Sequence, residues 1–234
     1  MLVSVKSCLS RVDRQFPLTH LKWISRVLDL VKPLHHLDAL QRHLGPAGTP
    51  FDIDAHCELS FFNEQGEPQC WFFKEGSLNL WREQNRIHVD LMTSPLYLSF
   101  SDAVIPEPLR YTLMTETPCR GFRMPVRRAI EIIEHRQLWK SFCHWQTWLM
   151  RSFEWRDAHF IGTTTYSQIR ATLLTMARWS PELRAQIGVI HHIQNHTHIS
   201  RSVIAEVLAE LRKGKYIEMQ KGKLVAVNKL PLNY

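Results

Sequence analysis

The chain has 234 residues, 44% hydrophobic and 22% charged, a balance ordinary for a folded globular protein with one large domain or two small ones. No apolar run approaches the roughly 18 residues a membrane-spanning helix needs, and the charges within MLVSVKSCLSRVDRQFPL argue against a secretory leader, so a cytoplasmic protein is expected. The net charge of +7 is uneven, with seven basic against three acidic side chains in residues 1–45, six against eleven in 46–124 and sixteen against eight in 125–234, which suggests that the C-terminal half meets a polyanion.

Two helical stretches, Leu18–Leu30 and Leu34–Leu44, make an N-terminal extension over residues 1–45, and the Gly- and Pro-containing run from Leu44 to Pro50 reads as a linker. Residues 46–124 then read as strands. Thr49–Ile53, His56–Phe62, Gln69–Phe73, Ser77–Arg82, Arg86–Leu91, Pro95–Phe100, Leu109–Glu116 and Pro118–Arg123 are short aromatic and aliphatic runs separated by turn signals. Strands so short and closely spaced predict an antiparallel roll or barrel.

Helices take over after Pro125, a residue suited to a helix's first turn. Over residues 125–162, Leu138, Phe142, Trp145, Leu149 and Phe153 recur at helix-seam spacing and predict a long helix packing on a second copy of the chain. Trp139, Trp148 and Trp155 add more aromatic surface than one stripe needs, so part of the helix is expected to meet the roll. An entirely intramolecular core helix is the alternative. A further helix spans Tyr166–Trp179, and Ser180 and Pro181 form a cap and first-turn pair that starts the next.

The most informative stretch is Gln186–Leu230, within a C-terminal unit over residues 163–234. Leu183, Ile187, Ile190 and Ile193 put one apolar face on a first helix, and a turn at His196–His198 follows. Ser200 then caps a second helix, Arg201–Lys213, whose Val203, Val207, Leu208 and Leu211 point inward. Two helices so joined form a helix-turn-helix, whose second helix enters the DNA major groove N-terminus first. Arg201 has the chemistry to bond guanine O6 and N7, Glu206 to accept from cytosine, and Ser200 and Ser202 to bond bases or phosphates. Tyr216–Gln220 and Leu224–Val227 alternate as strands around Lys221 and Gly222, which places a wing hairpin after the recognition helix. Lys213, Lys215, Lys221 and Lys223 are the candidate phosphate contacts. The same outline also serves winged helices that dock on another regulator without reading DNA.

The runs Tyr166–Met176, Glu182–Arg184, Ile187–Val189, Ser200–Val203, Ala205–Leu208, Leu211–Gly214 and Tyr216–Met219 resemble the enterobacterial IprA (YaiV-type) regulators of the Crp/Fnr-like superfamily. The likeness is specific over roughly residues 130–234, including Gln137–Trp139, looser over the roll, and does not cover residues 1–30. It implies an α+β fold: a cyclic-nucleotide-domain-like antiparallel β-roll, a long dimerisation helix and a C-terminal winged helix-turn-helix. It further implies control of oxidative-stress genes, the type member being named as an inhibitor of peroxide resistance. Ser200 and Arg201 match the superfamily's opening of the recognition helix, whereas Ser202 stands where Glu is usual and Glu206 where Arg is frequent. Target sites therefore should not be copied from cyclic-AMP-receptor operators.

Residues Tyr97–Arg110 lack the superfamily's Gly-Glu and Arg-x-Ala cassette, and an unpaired phosphate is costly to desolvate, so no cyclic nucleotide is expected to bind. The five cysteines form no CxxC pair, and Cys8 stands alone near the N-terminus, which argues against a cluster. Cys57 and Cys70 fall on neighbouring strands as possible redox thiols, with buried structural thiols the commoner case. Of thirteen histidines, His192 and His196 share a helix face with His198 nearby, yet no Glu, Asp or Cys completes a ligand set, and Cys143 with His144 is a weak haem signal. These histidines are expected along the phosphate side or in solvent, with no metal and no cofactor. An enzyme built on the roll is not expected either, since residues 46–124 offer only His56 and His88. The partners that follow are double-stranded DNA, a second copy of the chain and possible contact with RNA polymerase, without a membrane.

Overall fold

The computed structural model describes residues 30–98 and 111–232. The expected helix Leu18–Leu30, Cys8 and most of the segment read for a nucleotide cassette thus lie outside the described residues. Helix α1 (Leu34–Leu44) has the expected bounds. Its Leu37, Leu40 and Leu44 share one face and are fully buried, so α1 is built into the core of the roll instead of forming a separate extension.

Among the described residues eight strands follow: β1 (Thr49–Ile53), β2 (Glu58–Leu59), β3 (Gln69–Glu75), β4 (Ser77–Arg82), β5 (Ile87–Thr93), β6 (Leu96–Leu98), β7 (Tyr111–Thr115) and β8 (Cys119–Pro125). They pair antiparallel in two four-stranded sheets, ordered β1-β8-β3-β6 and β2-β7-β4-β5. The aromatic run of β3 fills the interior, where Phe72 stacks on Phe122 of β8 with ring centroids 5.1 Å apart. β3 and β8 approach so closely that a Cβ on Gly121 would lie 1.9 Å from the Phe72 carbonyl oxygen, so only glycine fits there. The expected strand His56–Phe62 shortens to β2 because His56 turns with φ +65° and the Ser60 hydroxyl accepts the Phe62 amide locally. The run after Leu44 is a tight corner from α1 into β1, not a spacer between domains.

Pro125 ends β8 and caps α2 (Val126–His135), one position before the first turn. Then comes α3 (Trp139–Phe160), 22 residues and about 33 Å long. Here the seam expectation is corrected. Leu138, Phe142 and Trp145 are buried within the chain's own core, and the Trp145 Nε1–H donates to the Tyr97 carbonyl of β6 at 2.7 Å. A large ring with one polar edge needs such a partner once buried, and the roll supplies it. Leu149 is half-buried and Phe153 is exposed. The open stripe lies one residue on: Trp139, Cys143, Met150 and Phe153 are exposed, with half-buried Gln146 between them.

The C-terminal unit comprises α4 (Thr165–Met176), α5 (Pro181–Gln186), α6 (Val189–Thr197), α7 (Arg201–Lys213), β9 (Ile217–Gln220) and β10 (Lys223–Val227). Thr164 and Ser180 cap α4 and α5 by accepting the amides of Ser167 and Leu183. A second core gathers Ile169, Leu173, Val189, Ile193, Ile204, Leu208, Leu211, Ile217 and Leu224, and Leu91 from β5 joins it. The unit therefore sits against β5 of the roll, with α6 as the contacting helix.

Candidate nucleic-acid interface

Helix α6 begins at Val189; Leu183 belongs to the separate α5, so the expected first helix is split at Ile187 and Gly188. His198 adopts φ +58°, and its amide donates to the Gln194 carbonyl at 2.9 Å, closing α6. Left-handed backbone is tolerated by few residues besides glycine, His among them. Ser200 then opens α7, its hydroxyl accepting the Val203 amide at 3.4 Å. That bond fixes the phase of α7 so that Ile204, Leu208 and Leu211 are buried, whereas Val203, expected inside, is 39% exposed.

Arg201, Ser202 and Glu206 are consequently exposed on the leading half of α7. The Ser200 hydroxyl also contacts the Ser202 hydroxyl at 3.1 Å, so Ser200 is occupied as a cap and is less free to reach a base. The helix N-terminus adds bare amides and the positive end of its dipole, which favour a phosphate.

Lys221 and Gly222 have φ of +48° and +77°, the paired left-handed conformations of a type I′ turn, and they close the hairpin β9–β10. The Gly222 carbonyl accepts the Val189 amide at 3.0 Å, which pins the wing tip to the start of α6. Lys213, Lys215 and Lys221 are exposed, Lys213 lying 3.8 Å from Glu210. Lys223 is half-buried, and its Nζ donates to the Gln186 carbonyl, so it serves the wing's anchorage before any phosphate. Exposed Arg212 joins the basic set; the Arg212–Lys213 pair at the end of α7 was its signal in the sequence.

Between the roll, α3 and α6 lies a cavity of about 900 Å³, bordered by Trp148, Asp90, Arg156, His192 and His196 among others. His192 and His196 are buried, contrary to the expectation that they face phosphate or solvent, while His198 is exposed. His88 of β5, which nothing in the sequence linked to them, meets both: His88–His196 and His192–His196 ring centroids are each 4.3 Å apart. Burial pushes His88 down to about 3 and holds His192 and His196 well below the usual imidazole range. Asp90 is pushed up to about 6 by burial.

The expected placement of the thiols is corrected as well, while Cys70 fits the commoner case of a buried structural thiol. Cys57 lies in the turn before β2, not on a strand beside Cys70, and is half-buried. Cys70 is buried on β3 with its S–H directed at the Met124 carbonyl, and burial pushes its thiol up to about 11, away from thiolate chemistry.

A double-sheeted roll, a long helix and a winged helix-turn-helix follow one another in this order, the architecture of the Crp/Fnr-like fold. The family described as winged helix-turn-helix DNA binding matches residues 165–232. The fold is shared with the c-di-GMP-responsive regulator CLP of Xanthomonas campestris, at a TM-score of 0.61 and 12% identity over 84% of this chain and 100% of that one. It is shared too with a Crp/Fnr-family regulator from Eubacterium rectale, at 0.57 and 13% identity over 81% and 90% of the two chains. A protein of Escherichia coli (strain K12) named "Inhibitor of hydrogen peroxide resistance" is 41% identical over 208 residues, 89% of this chain and 100% of its own. The chain belongs to that family, the IprA regulators. Among the described residues no helix is long and apolar enough to cross a membrane.

Proposed function

We propose that the protein is a cytoplasmic, homodimeric and non-enzymatic transcription factor that reads a two-fold-related DNA site and controls genes of peroxide resistance. The observation that carries this reading is the exposure of Arg201 on the first turn of α7, directly after the Ser200 cap. A guanidinium so placed can enter the major groove and bond a guanine edge, while Lys213, Lys215 and Lys221 meet phosphates. The peroxide link is carried over from the name of the Escherichia coli relative.

Dimerisation is read from the open stripe of α3. Met150 is 63% and Phe153 46% exposed, with Trp139 and Cys143 on the same face. Large apolar side chains at heptad spacing on one helix face suit a parallel partner helix. Two chains joined there would hold their recognition helices about one DNA turn, roughly 34 Å, apart. The test is a gel shift with purified protein on a site selected from random duplex. Sequence-selective binding supports the reading. Failure to select any sequence favours a winged helix that docks on another regulator or on RNA polymerase.

A further inference from the structure

The cluster of His88, His192 and His196 is buried, away from the exposed side chains assigned to DNA. One nitrogen from each ring lies within 4.8 Å of the others, and all three residues are buried. The Nε2 atoms of His88 and His192 have no hydrogen-bond partner. Buried polar atoms left bare are costly, and a phenylalanine or leucine would fill the same space without that cost. The rings are held by an aromatic wall: Trp81 lies 4.8 Å from His88, Trp179 4.8 Å from His192 and Phe160 6.2 Å from His196.

We propose that His88, His192 and His196 form a three-imidazole site for a divalent transition-metal ion, clamping β5 of the roll to α6 of the winged helix. Spacing and donor chemistry agree on this. His192 and His196 stand four apart and share a face of α6, and His88 closes the triangle from the facing strand. Metal–nitrogen bonds of about 2.0–2.1 Å in a tetrahedral site ask the nitrogens to draw together by up to about 1.5 Å, a movement of side-chain rotations. Three nitrogen donors select ions of the zinc or ferrous class and disfavour magnesium and calcium, which take oxygen ligands. Burial keeps the rings neutral, the state in which they can bind a metal.

Because His192 and His196 also border the cavity, a fourth coordination position would open into it. Arg156 stands beside the cluster with its Nε–H on the Val89 carbonyl. Its charge opposes a bare cation and favours an anion such as hydroxide in the fourth position.

The site stands independently of DNA recognition. Its consequence for regulation, that an ion fixing α6 against β5 sets the orientation of the helix-turn-helix, rests on the function proposed above. The test is titration of chelator-treated full-length protein with Co²⁺, read by its visible bands, followed by displacement with Zn²⁺. One Co²⁺ per chain with the absorption of a four-coordinate site is expected, together with a rise in thermal midpoint on adding Zn²⁺. His192→Gln and His88→Gln should each weaken Co²⁺ binding by more than about 100-fold. His35, His36 and His144 form a separate stacked group on α1 and α3, so His144→Gln should leave the stoichiometry unchanged. Absence of saturable Co²⁺ binding by the unmodified chain overturns the proposal, whatever the variants' folding. Binding lost in His144→Gln and retained in His192→Gln overturns it equally. Neither outcome bears on duplex binding, which is measured separately.

Discussion

Arg201 carries the DNA-reading claim at the scale of single residues. Removing its guanidinium should cost about 1–3 kcal/mol at the selected site and relax preference at one base pair. Competition between selected and random duplex measures this; equal weakening of Arg201→Ala on both would remove its role in base reading. Lys221→Ala should weaken binding on every sequence and reduce the salt slope by about 0.9. Lys223→Ala should act differently, because its amine is tied to the Gln186 carbonyl, and chiefly loosen the wing. Among thiols, buried Cys70 should be alkylated only on unfolding, whereas Cys143, exposed on the single chain but on the proposed dimer face, should react slowly in the dimer and quickly once the chain is monomeric, as mass spectrometry of a timed iodoacetamide reaction would show. Arg201 was legible in the sequence because Ser200 is a strong cap and the residue after a cap necessarily lies on the first turn. His88 was not, because its meeting with His192 and His196 depends on how two distant units pack, and one strand histidine carries no periodic signal.

Among the elements, α3 separates two kinds of apolar residue that the sequence could not tell apart. Its spacing of large side chains fits both the stripe through Phe142 and Trp145 and the one through Met150 and Phe153, one residue on. The roll chose the first by offering the Tyr97 carbonyl to the Trp145 ring. Trp145→Ala should therefore lower unfolding free energy by about 3–5 kcal/mol, seen in urea melts. Met150→Glu with Phe153→Glu should leave the fold intact and convert dimer to monomer in sedimentation, by placing like charges across the seam. An unchanged dimer in that variant would place the interface elsewhere. The same ambiguity of phase made Val203 look buried on α7; the Ser200 cap resolves it in favour of Ile204. Strand bounds, by contrast, were largely readable, because residues such as Gly76, with φ +98° between β3 and β4, punctuate them, although β3 runs on through Lys74 and Glu75.

For the whole molecule, the order roll, long helix and winged helix-turn-helix was readable from composition shifts and a local likeness, whereas the contact between roll and winged helix was not. That contact makes a pH prediction for the metal-free chain. His88, His192 and His196 are held below their unfolded value of about 6.5, so the stability they contribute is full above that pH and is lost as pH falls toward their folded values. Asp90, raised to about 6, works in the opposite sense over part of the range and offsets one of the three. The urea midpoint should accordingly fall between about pH 6.5 and pH 5; a flat profile would contradict the buried neutral cluster. The regulator itself is tested most directly by genome-wide footprinting of the unmodified protein and of Arg201→Ala, before and after peroxide. The account predicts two-fold-related half-sites about one DNA turn apart near peroxide-response genes, lost in the variant. Footprints without a shared sequence, or identical for both proteins, would contradict it.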